Sequence, residues 1–396
     1  MSGPETPAPA EPGKPGKPGK HGIGRRGFLG YVGSAVAGAA AGTAGGAAWA
    51  GDGDSESPAP VGLGTEVAPY GVHQPGVATP MPAVVEVVAL DLLPDTDRDA
   101  LGRLLRVWTG DVEALTTGRA TPGDTEPWLA AARADLTITV GLGPGALAAA
   151  GLDAPTGFEA VPPMRHDRLQ PRWSGGDLVL VVAAREGTTL AHAVRQLVRD
   201  AVPFARQRWR QSGFWNGTDA DGRPMTGRNL FGQVDGTASP RPGSATFDET
   251  VWIREPPWTG ATTLVVRRIS MDLDTWAELT RDRQEAALGR TLDTGERLSD
   301  PGPRAHARLA HPMENAGARI VRKGANYATE DDSGLLFMSF QASVAGQFVP
   351  IQRSLDRADS LNTWTTAIGS AEFVVLPGFE RGDWLGSGVL GSGTPG

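Results

Sequence analysis

The sequence predicts an α+β fold built from two similar halves, each a β-sheet with helices packed on one face. Apolar runs of strand length alternate with segments in which apolar residues recur at helical spacing. The same order of elements occurs before and after a turn-rich region at residues 216–244. With 396 residues, the chain is long enough for two domains that each have a core.

In the first half, three apolar runs predict strands at residues 84–90, 136–142 and 178–184. A helical stripe follows the first strand at residues 101–108, and another follows the third at residues 190–201. His192 lies off the apolar face of the second stripe. We therefore expect His192 to be solvated.

The second half repeats this order of elements. Strands are predicted at residues 262–271, 335–341 and 372–376, and helices at residues 273–288 and 353–367. Because strands and helices alternate with long crossovers, we expect two ferredoxin-like α+β sandwiches. They are assigned to residues 82–245 and 246–390, with a flexible tail at residues 391–396.

Composition narrows the chemistry that the chain can perform. The absence of cysteine excludes disulfides, thiolate ligation of iron, iron–sulfur clusters and thiolate zinc sites. Any metal therefore has to bind to histidine or carboxylate. The formal net charge is −8, and beyond the first 50 residues the chain has 32 basic and 43 acidic residues. This acidic balance argues against a general nucleic-acid-binding protein.

Residues 1–50 have the layout of an export signal. Three lysines and the pair Arg25-Arg26 precede an uncharged stretch at residues 31–50 that is rich in alanine and glycine. A transmembrane anchor is the alternative, since this stretch is about long enough to span a bilayer. Alanine and glycine insert weakly, however, which favours a twin-arginine signal peptide.

Cleavage of this signal is expected after Ala50, within the A-x-A pattern of Ala48-Trp49-Ala50. A Pro/Gly-rich linker is expected at residues 51–81. The mature protein would then have no stable membrane span. We expect it to be exported by the twin-arginine machinery and to be extracellular, periplasmic or associated with the cell wall.

Two neighbouring histidines are the main candidates for a metal ligand. His306 and His311 lie together within residues 305–312. His73 falls in the predicted linker and His166 in a polar, arginine-rich loop, so neither is well placed to bind a buried metal. Spacing alone does not choose between His306 and His311.

Three motifs around these histidines carry a resemblance to a known family. Residues 228–237 read R-N-L-F-G-Q-V-D-G-T, His306 and Arg308 form an H-x-R pattern, and residues 321–325 read V-R-K-G-A. A glycine-flanked aspartate alone is also common in turns, so the combination of motifs gives the resemblance its specificity. In order and approximate spacing, the three motifs resemble those of the dye-decolourising peroxidase (DyP) family.

The resemblance implies a peroxidase that uses haem b to reduce hydrogen peroxide and to oxidise small organic or dye-like donors. It also implies a fold of the dimeric α/β-barrel type with haem in the C-terminal half. His306 corresponds to the iron ligand, while Asp235 and Arg322 correspond to the residues on the peroxide side. Arg308 and Arg322 are suitable partners for haem propionates. Asp383 resembles the acidic residue that holds the ligating histidine.

These residue types suit peroxide chemistry. A neutral imidazole donates strongly to iron when an acceptor holds its other nitrogen, which is the role implied for Asp383 beside His306. Cleavage of the peroxide bond needs a proton carrier and a stabilising positive charge, which Asp235 and Arg322 can supply.

The sequence departs from the family pattern at two places. Ala325 stands where an aromatic residue is frequent, and residues 311–313 read H-P-M where the family often has N-P-R. Positions of substrate radicals in other members therefore do not transfer to this chain. Trp364 and Trp384 are our candidates for carrying electrons to the surface.

Two other functions would use part of the same residue set. A deferrochelatase-like protein that releases iron from haem would share all of it. A non-catalytic haem carrier or sensor would need His306 but not Asp235 and Arg322. The presence of both Asp235 and Arg322 favours the peroxidase.

Overall fold

The computed structural model describes residue 3 and residues 64–131, 134–215, 227–236 and 238–391. The predicted signal peptide, residues 51–63 of the predicted linker, Thr237 and residues 392–396 lie outside the described residues. Pro60–Gly396 form one compact unit. In the described part of this unit, no helix is long and apolar enough to cross a bilayer.

Eight strands of the described residues form a closed antiparallel barrel in the order β1-β3-β2-β8-β5-β7-β6-β4. Their bounds are β1 Val84–Leu92, β2 Thr137–Leu142, β3 Leu178–Ala184, β4 Ala205–Phe214, β5 Thr262–Met271, β6 Val321–Ala328, β7 Ser333–Gln341 and β8 Thr365–Val375. The predicted α+β class is therefore confirmed.

The two halves of the chain contribute four strands each, and their sheets join at both edges. Gly141 of β2 pairs with Val375 of β8, and Phe214 of β4 pairs with Asn326 of β6. One face of the strands fills the barrel with a continuous apolar core, which includes Phe373. The boundary predicted at residue 245 stays a prediction.

Helices surround the barrel. Those of the first half are α1 Arg98–Thr116, α2 Pro144–Ala149 and α3 Gly187–Ala201. Those of the second half are α4 Ala245–Val251, α5 Leu273–Ala277, α6 Arg281–Leu288, α7 His306–Leu309, α8 Val349–Ala358 and α9 Ser387–Leu390. The α4 helix packs its buried residues Phe247 and Val251 against the barrel core. The α1 helix begins where the Asp97 side chain accepts a hydrogen bond from the Ala100 N–H, as expected of an N-cap.

The remaining helical turns are short. The described residues contain 3₁₀ turns at Pro127–Leu129, Pro171–Trp173, Pro312–Glu314 and Ser360–Thr363, and a π-helical turn at Val344–Phe348. The π-helical turn leads directly into α8, and Phe348 within it is buried.

Several predicted elements differ from the observed ones. The helix predicted at residues 273–288 is two helices, because the chain turns at Leu279 and Thr280. The helix predicted at residues 353–367 ends at Ala358, and β8 begins at Thr365. The strands β4 and β6 were not predicted. In β4, polar residues such as Arg208 interrupt the apolar pattern, and the backbone pairing with β1 holds the strand instead.

Part of the predicted linker is built into the folded unit. The Gln74 side chain donates hydrogen bonds to the carbonyls of Val140 and Leu376 and accepts one from the Val140 N–H. The His73 ring stacks on Trp252 with centroids 3.5 Å apart. These contacts join residues 73 and 74 to both halves of the barrel. Residues 64–81 are therefore part of the folded unit and not a free linker.

The expectation that His192 would be solvated is wrong. His192 is 3% exposed, and its Nε2 lies 2.9 Å from Oδ2 of Asp124. The loop that carries Asp124 folds over α3 and covers the helix face on which His192 lies. A face that is polar in the sequence is therefore buried by a segment about 70 residues earlier.

A buried carboxyl group lies between α1 and α3. Asp111 is 1% exposed. Burial raises the pKa of Asp111 to about 7, and the neighbouring Asp200 carboxylate adds to the rise. Because the folded-state pKa is above the usual value of 3.8, Asp111 contributes stability that is present below pH 4 and lost as the pH rises through 7.

We predict that Asp111→Asn changes the pH dependence of stability. The variant cannot ionise at this position, so its free energy of unfolding relative to wild type should rise by about 2 kcal/mol between pH 5 and pH 8. Urea unfolding at both pH values measures this difference. Asp99→Asn, at an exposed position of the same helix, is the control and should show no such rise. A constant difference across this range would contradict the prediction.

Candidate active site

A large cavity lies in the C-terminal half, between the outer face of its strands and the helices α7 and α8. Its empty space is about 1510 Å³, including the part open to solvent. Apolar side chains of β5 and β7 form one wall. This wall contains Ile269, Met271, Leu335 and Phe337.

His306 lines this cavity and is held by Asp359. Nδ1 of His306 lies 2.6 Å from Oδ2 of Asp359, whose side chain is 4% exposed. The other oxygen of Asp359 accepts a hydrogen bond from the Leu361 N–H, which fixes the carboxylate at the end of α8. An ionised carboxylate accepts only, so Nδ1 of His306 carries a proton, and in the neutral ring Nε2 has the lone pair.

Asp235 and Arg322 form a second pair on the cavity wall. Nη2 of Arg322 lies 3.5 Å from Oδ1 of Asp235, and both side chains are mostly buried. The loop that carries Asp235 is shaped by Gly232 and Gly236, which have φ values of 80° and 84°. Residues with a side chain rarely adopt this backbone conformation, which accounts for both glycines of the motif.

The same loop is fastened by its own polar groups. The Asn229 side chain accepts hydrogen bonds from the N–H groups of Phe231 and Gln233. The Asp235 N–H donates to the Gly227 carbonyl at 2.9 Å. The position of Asp235 is therefore fixed by the backbone and not only by its contact with Arg322.

The cavity lining has more positive than negative charge. Its two acidic residues, Asp235 and Asp359, are already paired with Arg322 and His306. Three further arginines are on the lining: Arg267 is paired with Asp167, and Arg290 and Arg319 add positive charge. Burial lowers the pKa of Arg290, and the charges of Arg322 and Arg297 lower it further. An anionic ligand would relieve this repulsion.

A second cavity reaches the Asp235–Arg322 pair from another side. Its empty space is about 860 Å³, including the part open to solvent, and residues 77–81 form one wall. Lys323 lines this cavity and donates to the carbonyls of Gly76 and Thr79, both at 2.5 Å. Burial lowers the pKa of Lys323 to about 7.

Two of the expected site residues lie elsewhere. Asp383 is exposed, and its carboxylate accepts a hydrogen bond from the Trp384 N–H, so the expectation that it would hold His306 is wrong. The residue in that position is Asp359. Arg308 is also exposed, does not line the cavity, and lies 3.6 Å from the Glu314 carboxylate. The structure thus places Arg308 outside the cavity lining, and its expected contact with a haem propionate stays a prediction.

No local sequence pattern marks Asp359 as the partner of His306. Asp359 is 53 residues from His306, and it looks like an ordinary helix-terminating aspartate that accepts from the Leu361 N–H two residues on. Only the packing of α7 against α8 brings the two side chains together.

The two candidate tryptophans lie in different surroundings. Trp364 is 5.3 Å from Trp276, which stacks at 4.3 Å on the cavity residue Phe231. Trp384 packs beneath Arg106 of α1, in the first half of the chain. Of the two, Trp364 alone continues an aromatic series that begins at the cavity.

Comparison with known families agrees with this arrangement. A model of the N-terminal part of Dyp-type peroxidases matches residues 74–215, and a model of their C-terminal part matches residues 226–380. The fold is thus that of a two-part peroxidase, an enzyme that uses peroxide as its electron acceptor. The chain belongs to the Dyp-type peroxidase family.

Individual relatives support the same assignment. The chain is 38% identical over 363 residues to a dye-decolorizing peroxidase of Thermobifida fusca. The matched region covers 80% of this chain and 83% of the relative. It is 30% identical over 367 residues to a protein of Escherichia coli named deferrochelatase. The matched region covers 81% of this chain and 86% of that protein.

Solved structures give the same result. A DyP-type peroxidase from Cellulomonas bogoriensis has 44% identity and a TM-score of 0.78, covering 83% of this chain and 99% of that protein. Ferric DtpA from Streptomyces lividans has 35% identity and a TM-score of 0.78, covering 84% and 99%. Haem is the cofactor expected for this family.

Proposed function

We propose that this chain is an exported haem peroxidase in which His306 binds the iron and Asp235 and Arg322 act on the peroxide. One observation carries the proposal. A single large cavity is lined both by a histidine with a free Nε2 lone pair and by a carboxylate–guanidinium pair. This combination suits an iron site with a separate set of groups for proton transfer and charge stabilisation.

The residues of the cavity fit haem. The chain has no thiolate to offer, so an imidazole is the suitable ligand, and the Nδ1–H of His306 already has its carboxylate acceptor. The apolar wall of β5 and β7 suits the macrocycle. The surplus positive charge of the lining, to which Arg290 and Arg319 contribute, suits its two propionates. When bound, haem supplies an iron that takes up peroxide and exchanges electrons with it.

On the peroxide side, Asp235 moves the proton. With haem bound to supply the electrons, the Asp235 carboxylate would accept a proton from one peroxide oxygen and return it to the other, which would leave as water. Arg322 stabilises the negative charge that develops on the leaving oxygen. The second cavity gives hydrogen peroxide a route to this pair that does not pass through the main cavity.

Asp359 acts through His306. Its contact with Nδ1 orients the ring and increases the basicity of Nε2, which strengthens donation to iron. Asp359 is thus a positioning residue. Electrons for the second half of the reaction come from small organic donors.

Release of iron from haem is the second candidate function, since one relative is named deferrochelatase. It would use the same cavity. The pairing of Asp235 with Arg322 favours catalysis over a non-catalytic haem carrier, which has no need of a proton carrier beside a fixed positive charge. Iron release would use the same residues, so the measured reaction has to separate it from peroxide reduction.

Export is inferred from the leader alone. Arg25 and Arg26 precede an uncharged stretch too weakly hydrophobic to define the route by itself. The twin-arginine route transports folded proteins, which suits an enzyme that receives haem in the cytoplasm. Location outside the cytoplasmic membrane follows from this assignment.

We predict that Asp359→Asn weakens haem binding by roughly 10–100-fold, because the ligating ring loses its carboxylate acceptor. Titration of the protein with haem, followed at the Soret band, measures the affinity. Asp383→Asn is the matched control at an exposed position and should bind haem like wild type. If Asp383→Asn weakens haem binding more than Asp359→Asn, Asp383 and not Asp359 supports the ligating histidine.

We predict that Asp235→Ala and Arg322→Ala both slow the reaction with peroxide, and that Arg322→Ala slows it more. Loss of a general base costs roughly 10²–10⁴-fold, and an ordered water can replace part of it. A water cannot replace a buried positive charge. Stopped-flow absorbance at equal haem occupancy measures the rate of the peroxide-dependent spectral change.

Three results of this experiment would count against the proposal or its ranking of the two residues. If Asp235→Ala reacts more slowly than Arg322→Ala, proton transfer limits the reaction and the ranking is wrong. Wild-type rates in both variants would mean that neither Asp235 nor Arg322 takes part in the reaction with peroxide. Formation of iron-free porphyrin without any peroxide-dependent change would favour iron release instead.

We predict that replacing Arg25 and Arg26 together by lysine retains the folded precursor in the cytoplasm, because the twin-arginine machinery requires the arginine pair. Cell fractionation with an antibody against the protein measures its distribution. Replacement of Lys17 and Lys20 by arginine is the control and should leave export unchanged. Processed protein outside the membrane in the first variant would contradict the assignment.

A further inference from the structure

Two imidazoles line the main cavity, and their hydrogen bonds make them chemically different. Nδ1 of His306 faces a carboxylate, so Nε2 has a free lone pair. Nδ1 of His311 instead accepts a hydrogen bond from the Met313 N–H at 3.3 Å. A neutral imidazole that accepts at Nδ1 carries its proton on Nε2. Nε2 of His311 is therefore a donor and not a ligand.

The orientation of His311 is fixed by its surroundings. Asn315 is buried, and its side-chain N–H group donates to the carbonyls of Leu309 at 2.8 Å and His311 at 2.9 Å. The Met313 N–H then holds the ring from the following turn. His311 is half-buried, which places it at the rim of the cavity. A donor fixed in this way loses little conformational entropy when it binds.

The charges of the cavity indicate what His311 binds. The two acidic residues of the lining lie in ion pairs, and its arginines, which include Arg290 and Arg319, give the lining a surplus of positive charge. This surplus suits an anionic ligand with carboxylates near the cavity edge. We propose that His311 donates its Nε2–H to a propionate of haem and so positions the cofactor without binding its iron.

This proposal rests on the proposed haem function, and it assigns to His311 a role different from that of His306. It also replaces Arg308, which sequence analysis assigned to a propionate and which lies outside the cavity. Arg308 therefore serves as the matched control from the same segment.

The test compares two forms of the cofactor in the full-length protein. Wild type, His311→Leu, His311→Gln and Arg308→Leu are each loaded with haem or with haem dimethyl ester, which lacks the carboxylate charges. Dissociation is followed by transfer of the cofactor to excess apomyoglobin. This readout does not depend on peroxidase activity.

We expect His311→Leu to release haem roughly tenfold faster or more, because a hydrogen bond to a charged group is lost. Release of the dimethyl ester should change little in the same variant. His311→Gln, which keeps an N–H donor, should recover part of the retention of haem. Arg308→Leu should release both cofactors like wild type.

Three results would overturn the proposal. Equal acceleration for haem and its ester would mean that His311 acts through the fold of the loop and not through a carboxylate. No acceleration for either cofactor would mean that His311 does not contact haem. Loss of the histidine-ligated spectrum in His311→Leu, with its retention in His306→Ala, would make His311 the ligand. By contrast, failure of wild type to bind haem would refute the proposed function itself.

Discussion

Closure of the barrel between β4 and β6 is the constraint on which the active site depends. Phe214 pairs with Asn326 at this edge, and the Asn326 side chain donates to the Arg228 carbonyl at 2.9 Å. The loop after β4 is thereby fastened beside β6. Asp235 lies on that loop and Arg322 on β6, so two residues 87 positions apart in the chain meet at 3.5 Å.

A second feature is the difference between the charge of the chain and the charge of its cavity. The sequence beyond the leader is acidic, yet among the described residues that line the cavity there are four arginines and only two carboxylates. Positive charge held in a partly buried site costs desolvation energy, which lowers the stability of the protein without its ligand. An anionic cofactor offsets that cost, which couples the stability of this half to the presence of its ligand.

Apolar patterning predicted the strands whose residues are buried on both faces, such as Leu178–Ala184, with little error. It failed at β4 and β6, where polar side chains alternate with small or apolar ones and where pairing to neighbouring strands decides the conformation. It failed for the burial of His192 for a related reason. The burial of a polar face depends on which segment covers it. The sequence around His192 does not indicate that the segment with Asp124 packs there.

The sequence by itself determined the chemistry that is available: no thiolate, few histidines, and a glycine-bounded aspartate whose turn requires positive φ values. Motif order sufficed to select His306, Asp235 and Arg322. Only the tertiary structure decided their partners, because side-chain hydrogen bonds between distant segments depend on how helices pack. It placed Asp359 rather than Asp383 on His306 and placed Arg308 outside the cavity. Through the hydrogen bonds of Asp359 and the Met313 N–H, it gave two neighbouring imidazoles different tautomers.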